Sequence, residues 1–213
     1  MISGSKIRLD GRRLLALAAL LGGLGFGASA WAFDLPDLMG LLAQQKSGQA
    51  RFTEERTVHG LEGPLASSGV LSFSAPDKLT RQTLSPRPET MSVEGNVLTL
   101  SRGGRSRTLT LDSMPELLGL VEAMRGTLTG DSQGLQRYFT SKVSGDAKGW
   151  SLDLQPIDPR LAAQVRTLRL SGSQGMVLGI EMEFVGGDRS VTTITPGAVA
   201  PVGGAAAPAA AAP

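Results

Sequence analysis

Cysteine is absent from the 213 residues, and histidine occurs once, at His59. An exported chain could use disulfides, and this one has none to form. A zinc site needs several nitrogen or sulfur ligands, and a single His cannot supply them; the expectation is no metal and no cofactor. No phosphate-cradling P-loop is present, and the nearest G-x-G-like spacing, Gly23 to Gly27, falls in the leader. The apolar run Leu14 to Phe26 is shorter than the ~20 residues that span a membrane and is Gly-rich near its end.

That run belongs to an export signal. Lys6, Arg8, Arg12 and Arg13 precede it, and the small-residue sites Ala28-Ser29-Ala30 and Ala30-Trp31-Ala32 follow. The pattern is a secretory signal peptide over residues 1–32, cleaved after Ala30 or Ala32, with Arg12-Arg13 also permitting twin-arginine export. The mature chain is then exported. The leader carries four of the 21 basic and one of the 19 acidic residues. What remains holds 17 and 18, and the formal charge moves from +2 to about −1. Such a balance gives no electrostatic footprint for nucleic acid. Residues 196–213 are almost wholly Ala, Pro, Gly and Val, too little buriable surface to order a segment. The folded domain is thus expected over residues 33–195, enough for one sizeable core.

Within it, Asp34-Leu35-Pro36-Asp37 opens a helix, with Asp34 as cap and Leu35, Leu38, Met39 and Leu42 as one apolar stripe; Gly48 is expected to end it. Gln49 to Arg56 is extended, with Ala50 and Phe52 as a narrow inward face. Gly69 to Leu84 reads as two antiparallel strands joined at Ala75-Pro76-Asp77-Lys78, Leu71 and Phe73 on one face and Ser72 and Ser74 on the other. Short strands follow at Met91–Val93, Val97–Leu100 and Arg107–Leu111, separated by turns at Glu94-Gly95-Asn96 and Gly103-Gly104. Alternation then stops. Ser113-Met114-Pro115-Glu116 has capping-box form, and the apolar helix behind it, with Leu117, Leu118, Leu120, Val121 and Met124, is expected to close at Gly126. A short helical piece from Gly130 to Phe139 leads back into strands, from Thr140 to Thr195. The pattern is a meandering antiparallel sheet or barrel with a helical insert.

One catalytic motif is present. Gly130-Asp131-Ser132-Gln133-Gly134 fits G-x-S-x-G, but that mechanism needs a His after the Ser, and His59 precedes it. The segment before it is also helix and loop instead of a strand, so the stretch reads as a helix-start loop. Arg102, Arg105 and Arg107 make a basic hairpin tip, either a solubilised turn or a docking patch for an acidic partner or lipid headgroups. What remains is apolar surface, an ordinary core or a concave hydrophobic pocket.

The run Ala50-Arg51-Phe52-Thr53-Glu54-Glu55-Arg56, then Gly69 to Pro76 as G-x-L-x-F-x-x-P, resembles LolA, the periplasmic carrier of outer-membrane lipoproteins. Ala75-Pro76-Asp77-Lys78-Leu79 resembles a divergent LolA-like group, and Ser92 to Leu98 agrees with it. The resemblance implies a mainly β fold with α, a strongly curved antiparallel half-barrel sheet with helices covering its concave face as a lid. It further implies a non-enzymatic carrier that shields acyl chains of a lipoprotein or lipid. Phe52, Leu71, Phe73, Leu79, Val93 and Leu98 would line the sheet, and Leu117, Leu118, Val121 and Met124 would come from the lid. An inner-membrane exporter and an outer-membrane acceptor would be its partners, and the carrier would act as a monomer. The competing implication is a lipid- or lipoprotein-sensing, or exporter-associated, accessory module on the same fold. LolA carries an arginine before the proline of the opening turn, which helps hold the lid shut; here Ala75 stands there, so that latch is not implied.

Overall fold

The computed structural model describes residues 33–197; the leader and nearly all of the Ala/Pro-rich tail lie outside the described residues. The chain opens with helix α1, Leu35–Leu42. Asp34 and Asp37 cap it reciprocally, each carboxylate accepting from the other's backbone N–H at 3.1 and 3.2 Å, which satisfies two donors that a helix start leaves free. The helix stops at Leu42, well before Gly48. Gly48 instead lies in the first strand opposite Phe73, where a Cβ would stand 2.5 Å from Cε1 of the ring.

Eleven strands follow: β1 Ser47–Thr57, β2 Leu65–Ser74, β3 Lys78–Ser85, β4 Glu89–Glu94, β5 Val97–Arg102, β6 Arg105–Thr110, β7 Phe139–Asp146, β8 Gly149–Pro156, β9 Val165–Ser173, β10 Met176–Phe184 and β11 Arg189–Pro196. They form one sheet in the order β6-β5-β4-β3-β2-β1-β11-β10-β9-β8-β7. Each described pairing is antiparallel. The sheet is thus two meanders joined where β1 pairs with β11. It does not close, and its two edges, β6 and β7, are consecutive in the chain. This is the mainly β, unclosed architecture expected from the sequence.

Between those edges run a 3₁₀ turn, Leu111–Ser113, then α2, Pro115–Thr129, and α3, Ser132–Gln136. A further short helix, α4, Pro159–Ala162, is capped by the Asp158 carboxylate and was not legible as a helix. The expected capping box at Ser113 is not formed. Met114 occupies the N-cap without a side-chain bond, and the Ser113 hydroxyl donates to the Thr110 carbonyl at 2.6 Å. Nor does Gly126 end α2. The helix runs on to Thr129 and turns off at Gly130, whose φ of 76° is left-handed, a conformation Gly adopts without steric cost. A Cβ at Gly130 would also stand 2.9 Å from the Met39 carbonyl oxygen of α1. Ser132 of the G-x-S-x-G stretch starts α3 under the Asp131 cap, the helix-start loop that the sequence pointed to.

Residues directly opposite in antiparallel strands share a face, so the register assigns the inner surface row by row. On one wing, Phe73, Leu79, Val93, Leu98 and Leu109 form a row across β2 to β6. On the other, Ile180, Leu170, Leu152 and Val143 do the same across β10 to β7. The helices lie against this face and divide its burial into two cores. The larger joins α1, α3 and α4 to β7–β10 through Leu38, Met39, Leu42, Leu135, Leu152, Leu154, Leu161 and their neighbours. The smaller joins α2 to β3–β6 through Val93, Leu98, Leu111 and Val121, with Leu79, Met91, Leu100, Leu109, Met114, Leu117 and Leu118 packed around them. The outer face carries the polar rows, such as Lys142, Asp153, Arg169 and Glu181.

Candidate functional site: the inner face beneath helix α2

Helix α2 is the element that both cores share. Leu117, Leu118 and Val121 turn to the β3–β6 wing, whereas Leu120 and Ala123 turn to the α1–β8 core. The apolar residues of α2 therefore serve two surfaces. At Gly119 a Cβ would meet Leu161 Cδ2 at 3.0 Å and Tyr138 Cδ1 at 3.3 Å, so the absent side chain lets α2 settle against α4 and the segment after α3.

Of the ten residues expected to line a cavity, six come together here. Leu79, Val93 and Leu98 from the sheet meet Leu117, Leu118 and Val121 from the helix. Val93, Leu98 and Val121 are buried, at 4%, 1% and 6% exposure. Leu71 and Phe73 are half-buried on the same face, Phe73 against Gly48. Phe52 is also buried but stands apart from both cores, and Met124 is half-buried and joins neither.

Polar groups that the sequence reading passed over divide the two apolar wings. Phe52 and Glu54 are two residues apart on β1 and share its inner face, facing Gly69 and Ser67 of β2 and Ile194 and Thr192 of β11. The Arg81 guanidinium lies 4.1 Å over the Phe52 ring centroid, a cation–π contact, and pairs with the Glu54 carboxylate. That carboxylate also accepts from Ser67 Oγ at 3.2 Å and from Ser190 Oγ at 2.5 Å. Gly69 makes room for the stack, since a Cβ there would sit 2.9 Å from Phe52 Cε1. Burial by itself pushes Glu54 up, but the Ser190 hydroxyl, the Arg81 charge and the Ser67 hydroxyl together outweigh it and hold its pKa below the usual glutamate value. The signal was in the period: Glu54 follows Phe52 by two, as Arg81 follows Leu79.

A second arginine reaches the sheet from the helix. Arg125 of α2 donates to the backbone carbonyl of Asp77, in the β2–β3 turn, at 3.1 Å and to that of Gly95, in the β4–β5 turn. Its other terminal nitrogen pairs with Glu122 at 2.8 Å. The side chain is only 14% exposed, and its Nε has no hydrogen-bond partner among the described residues. So α2 is fixed to two hairpin turns by one cation.

Two surface concavities lie elsewhere. One, of about 430 Å³, sits on the outer face between Lys142, Asp153, Arg169, Glu181 and Glu183. The other, of about 280 Å³, sits at the β5–β6 rim. Among the described residues no group of three or more His, Asp or Glu could hold a metal, and no helix is long and apolar enough to cross a membrane.

A family profile described as outer membrane lipoprotein carrier protein LolA-like matches residues 27–213. The chain belongs to this LolA-like family. Among solved structures, it is similar to a LolA superfamily protein from Nitrosomonas europaea, with 12% identity, 78% of this chain and 93% of that one covered, and a TM-score of 0.44. It is also similar to the lipoprotein LppX of Mycobacterium tuberculosis, with 11% identity, 76% and 93% covered, and a TM-score of 0.40. A third likeness is to MucB, solved in complex with MucA, with 19% identity and a TM-score of 0.40; there 78% of this chain spans 57% of the other. No curated protein sequence matches the chain.

In this LolA-like chain Arg125 and Glu54 give separate tests. Arg125→Ala leaves two turn carbonyls without their donor, and urea unfolding is expected to show a loss of about 1–3 kcal/mol, against less than about 0.5 kcal/mol for the exposed Arg105→Ala. Glu54 has a folded pKa below its unfolded one, so its stabilisation is complete above the ordinary value of 4.5 and disappears as pH falls through the lowered one. Asp188 acts in the same direction, lowered by the His59 backbone N–H and by Arg56. Unfolding midpoints measured from pH 6 to pH 3 should therefore fall, and Glu54→Gln should flatten part of the slope and leave the Asp188 part.

Proposed function

We propose that the chain carries the acyl chains of a lipoprotein or lipid through the periplasm towards the outer membrane, holding them against the inner face that α2 now covers. The observation that supports this most is the nature of the smaller core. It is built from one sheet wing and one helix, and displacing that helix would uncover a continuous apolar floor of Leu79, Val93, Leu98 and Leu109. Burying a chain of a dozen methylenes is worth roughly 10 kcal/mol at about 0.8 kcal/mol per CH₂. That is enough to replace the contacts that Leu117, Leu118 and Val121 would give up. Binding by this route needs no nucleophile or metal, and the reading assigns the chain no catalysis. Phe73 and Leu71 extend the floor towards the centre of the sheet, where Phe52 lies under the Arg81 guanidinium, and Met124 adds a flexible side chain on the moving element. Release requires a membrane or a partner protein that favours the covered state of the helix. Its source compartment follows from the leader of residues 1–32, and its partners would be an exporter on one side and an acceptor on the other.

Displacement of a fluorescent fatty acid from the purified protein by palmitate, together with native mass spectrometry, tests this. Saturable binding of one to two chains is expected, weakened at least tenfold by Phe73→Glu, whose position is half-buried. If neither method detects a bound chain and Phe73→Glu changes stability alone, the carrier reading is wrong.

A further inference from the structure

The basic hairpin tip of β5 and β6 has an orientation that the function above leaves unused. The register pairs Arg102 with Arg105 and Leu100 with Arg107. Leu100 in turn pairs with Met91, and Arg102 with Glu89. Leu100 and Met91 pack on the core beneath α2, so Arg102, Arg105 and Arg107 all stand on the inner face. The outward-facing residues of β6 are neutral: Ser106, Thr108 and Thr110.

Inward-pointing charges are one way to protect an edge strand such as β6, and every cation of this hairpin is on the inner face. Their pairing is also unequal. Arg102 has Glu89 at 3.7 Å, whereas the side chains of Arg105 and Arg107 make no ion pair with any described residue. The rim therefore holds a local surplus of two positive charges. They border the concavity of about 280 Å³, with Leu100 in its wall. Burial falls steadily along β5, from Leu98 in the core through half-buried Leu100 to exposed Arg102. One short path thus leads from a fully apolar floor to unpaired guanidinium groups, the polarity profile of a single-tailed or double-tailed amphiphile with an anionic head.

We propose that Arg105 and Arg107, with Arg102, form a recognition site for the phosphate of an anionic lipid whose acyl chains enter beneath α2. Guanidinium groups suit this ligand because their planar donors engage phosphate oxygens in pairs. The site rests on the carrier reading and narrows it from acyl chains in general to phosphate-bearing lipids. It selects the head group, while the floor of Leu79, Val93 and Leu98 supplies affinity without regard to charge.

Calorimetric titration of the purified protein with water-soluble dioctanoyl phosphatidic acid, dioctanoylglycerol and inorganic phosphate tests the proposal. The phosphatidic acid is expected to bind at least tenfold more tightly than the diacylglycerol. Arg105→Ser combined with Arg107→Ser should reduce that ratio to about twofold while leaving the diacylglycerol affinity in place, and the Lys pair should restore part of it. Inorganic phosphate alone should bind far more weakly than the lipid. Equal affinity for the two lipids, or an unchanged ratio in the Ser pair, overturns the head-group site and leaves the carrier reading standing. Phosphate binding as tightly as the lipid would make this a free-anion site. Equal binding of a glutamate-rich peptide would make it a protein-docking patch. Failure of both lipids to bind overturns the carrier reading and this site together.

Discussion

An antiparallel sheet that curls without closing has one apolar inner face to cover, and here the chain covers it with the connection between its own two edges. β6 and β7 lie at opposite ends of the strand order and next to each other in sequence. The link between them must cross the open side, and it does so as α2 and α3. The same segment thus joins the edges and shields the inner face from water, which is where burial stabilises most. Because α2 divides its apolar residues between two cores, displacing it would uncover the smaller core and withdraw Leu120 and Ala123 from the larger one, which keeps its contacts among α1, α3, α4 and β7–β10.

The polar groups fit that division of labour. Glu54 and Arg81 sit at the centre of the sheet, between the wings, where Ser67, Ser190 and Phe52 satisfy them. Buried charge left unpaired is costly, so this seam is a fixed part of the frame. Arg125 differs. It spans from the helix to two turns, and its Nε lacks a partner among the described residues. An incompletely satisfied contact of this kind is easier to give up than the seam. In the carrier reading proposed above, it is this contact, and not the seam, that an incoming acyl chain has to displace.

Much of this was legible in the residues, and the exceptions have physical causes. Alternation located most of the strands, and the Gly95 and Gly103-Gly104 turns fixed the meander, because period-2 patterning survives wherever one face is wet. The boundaries that shifted involve glycines. Gly48 and Gly126 read as helix ends by composition, yet they are close-approach positions, Gly48 beneath the Phe73 ring and Gly126 with a Cβ position 2.9 Å from the Asp131 carbonyl oxygen. Leu79, Val93 and Leu98, picked out as candidate lining residues, pack in one cluster with Leu117, Leu118 and Val121 of the helix. The role of Arg125 was hidden because its partners are backbone carbonyls, which no sequence pattern marks. Helix α4 escaped notice because four residues are too few to show a period.

The proposed carriage of acyl chains requires α2 to open as a unit from a sheet that stays folded. Hydrogen exchange followed by mass spectrometry, with and without palmitate, measures this directly, since local opening is resolved from global unfolding by its lower free energy. The account predicts that amides in Pro115–Thr129 exchange well before those of β8 and β9 and become slower or faster, as a block, when the fatty acid binds. Exchange of α2 only through global unfolding, at the same free energy as β8 and β9 and unchanged by palmitate, would contradict it.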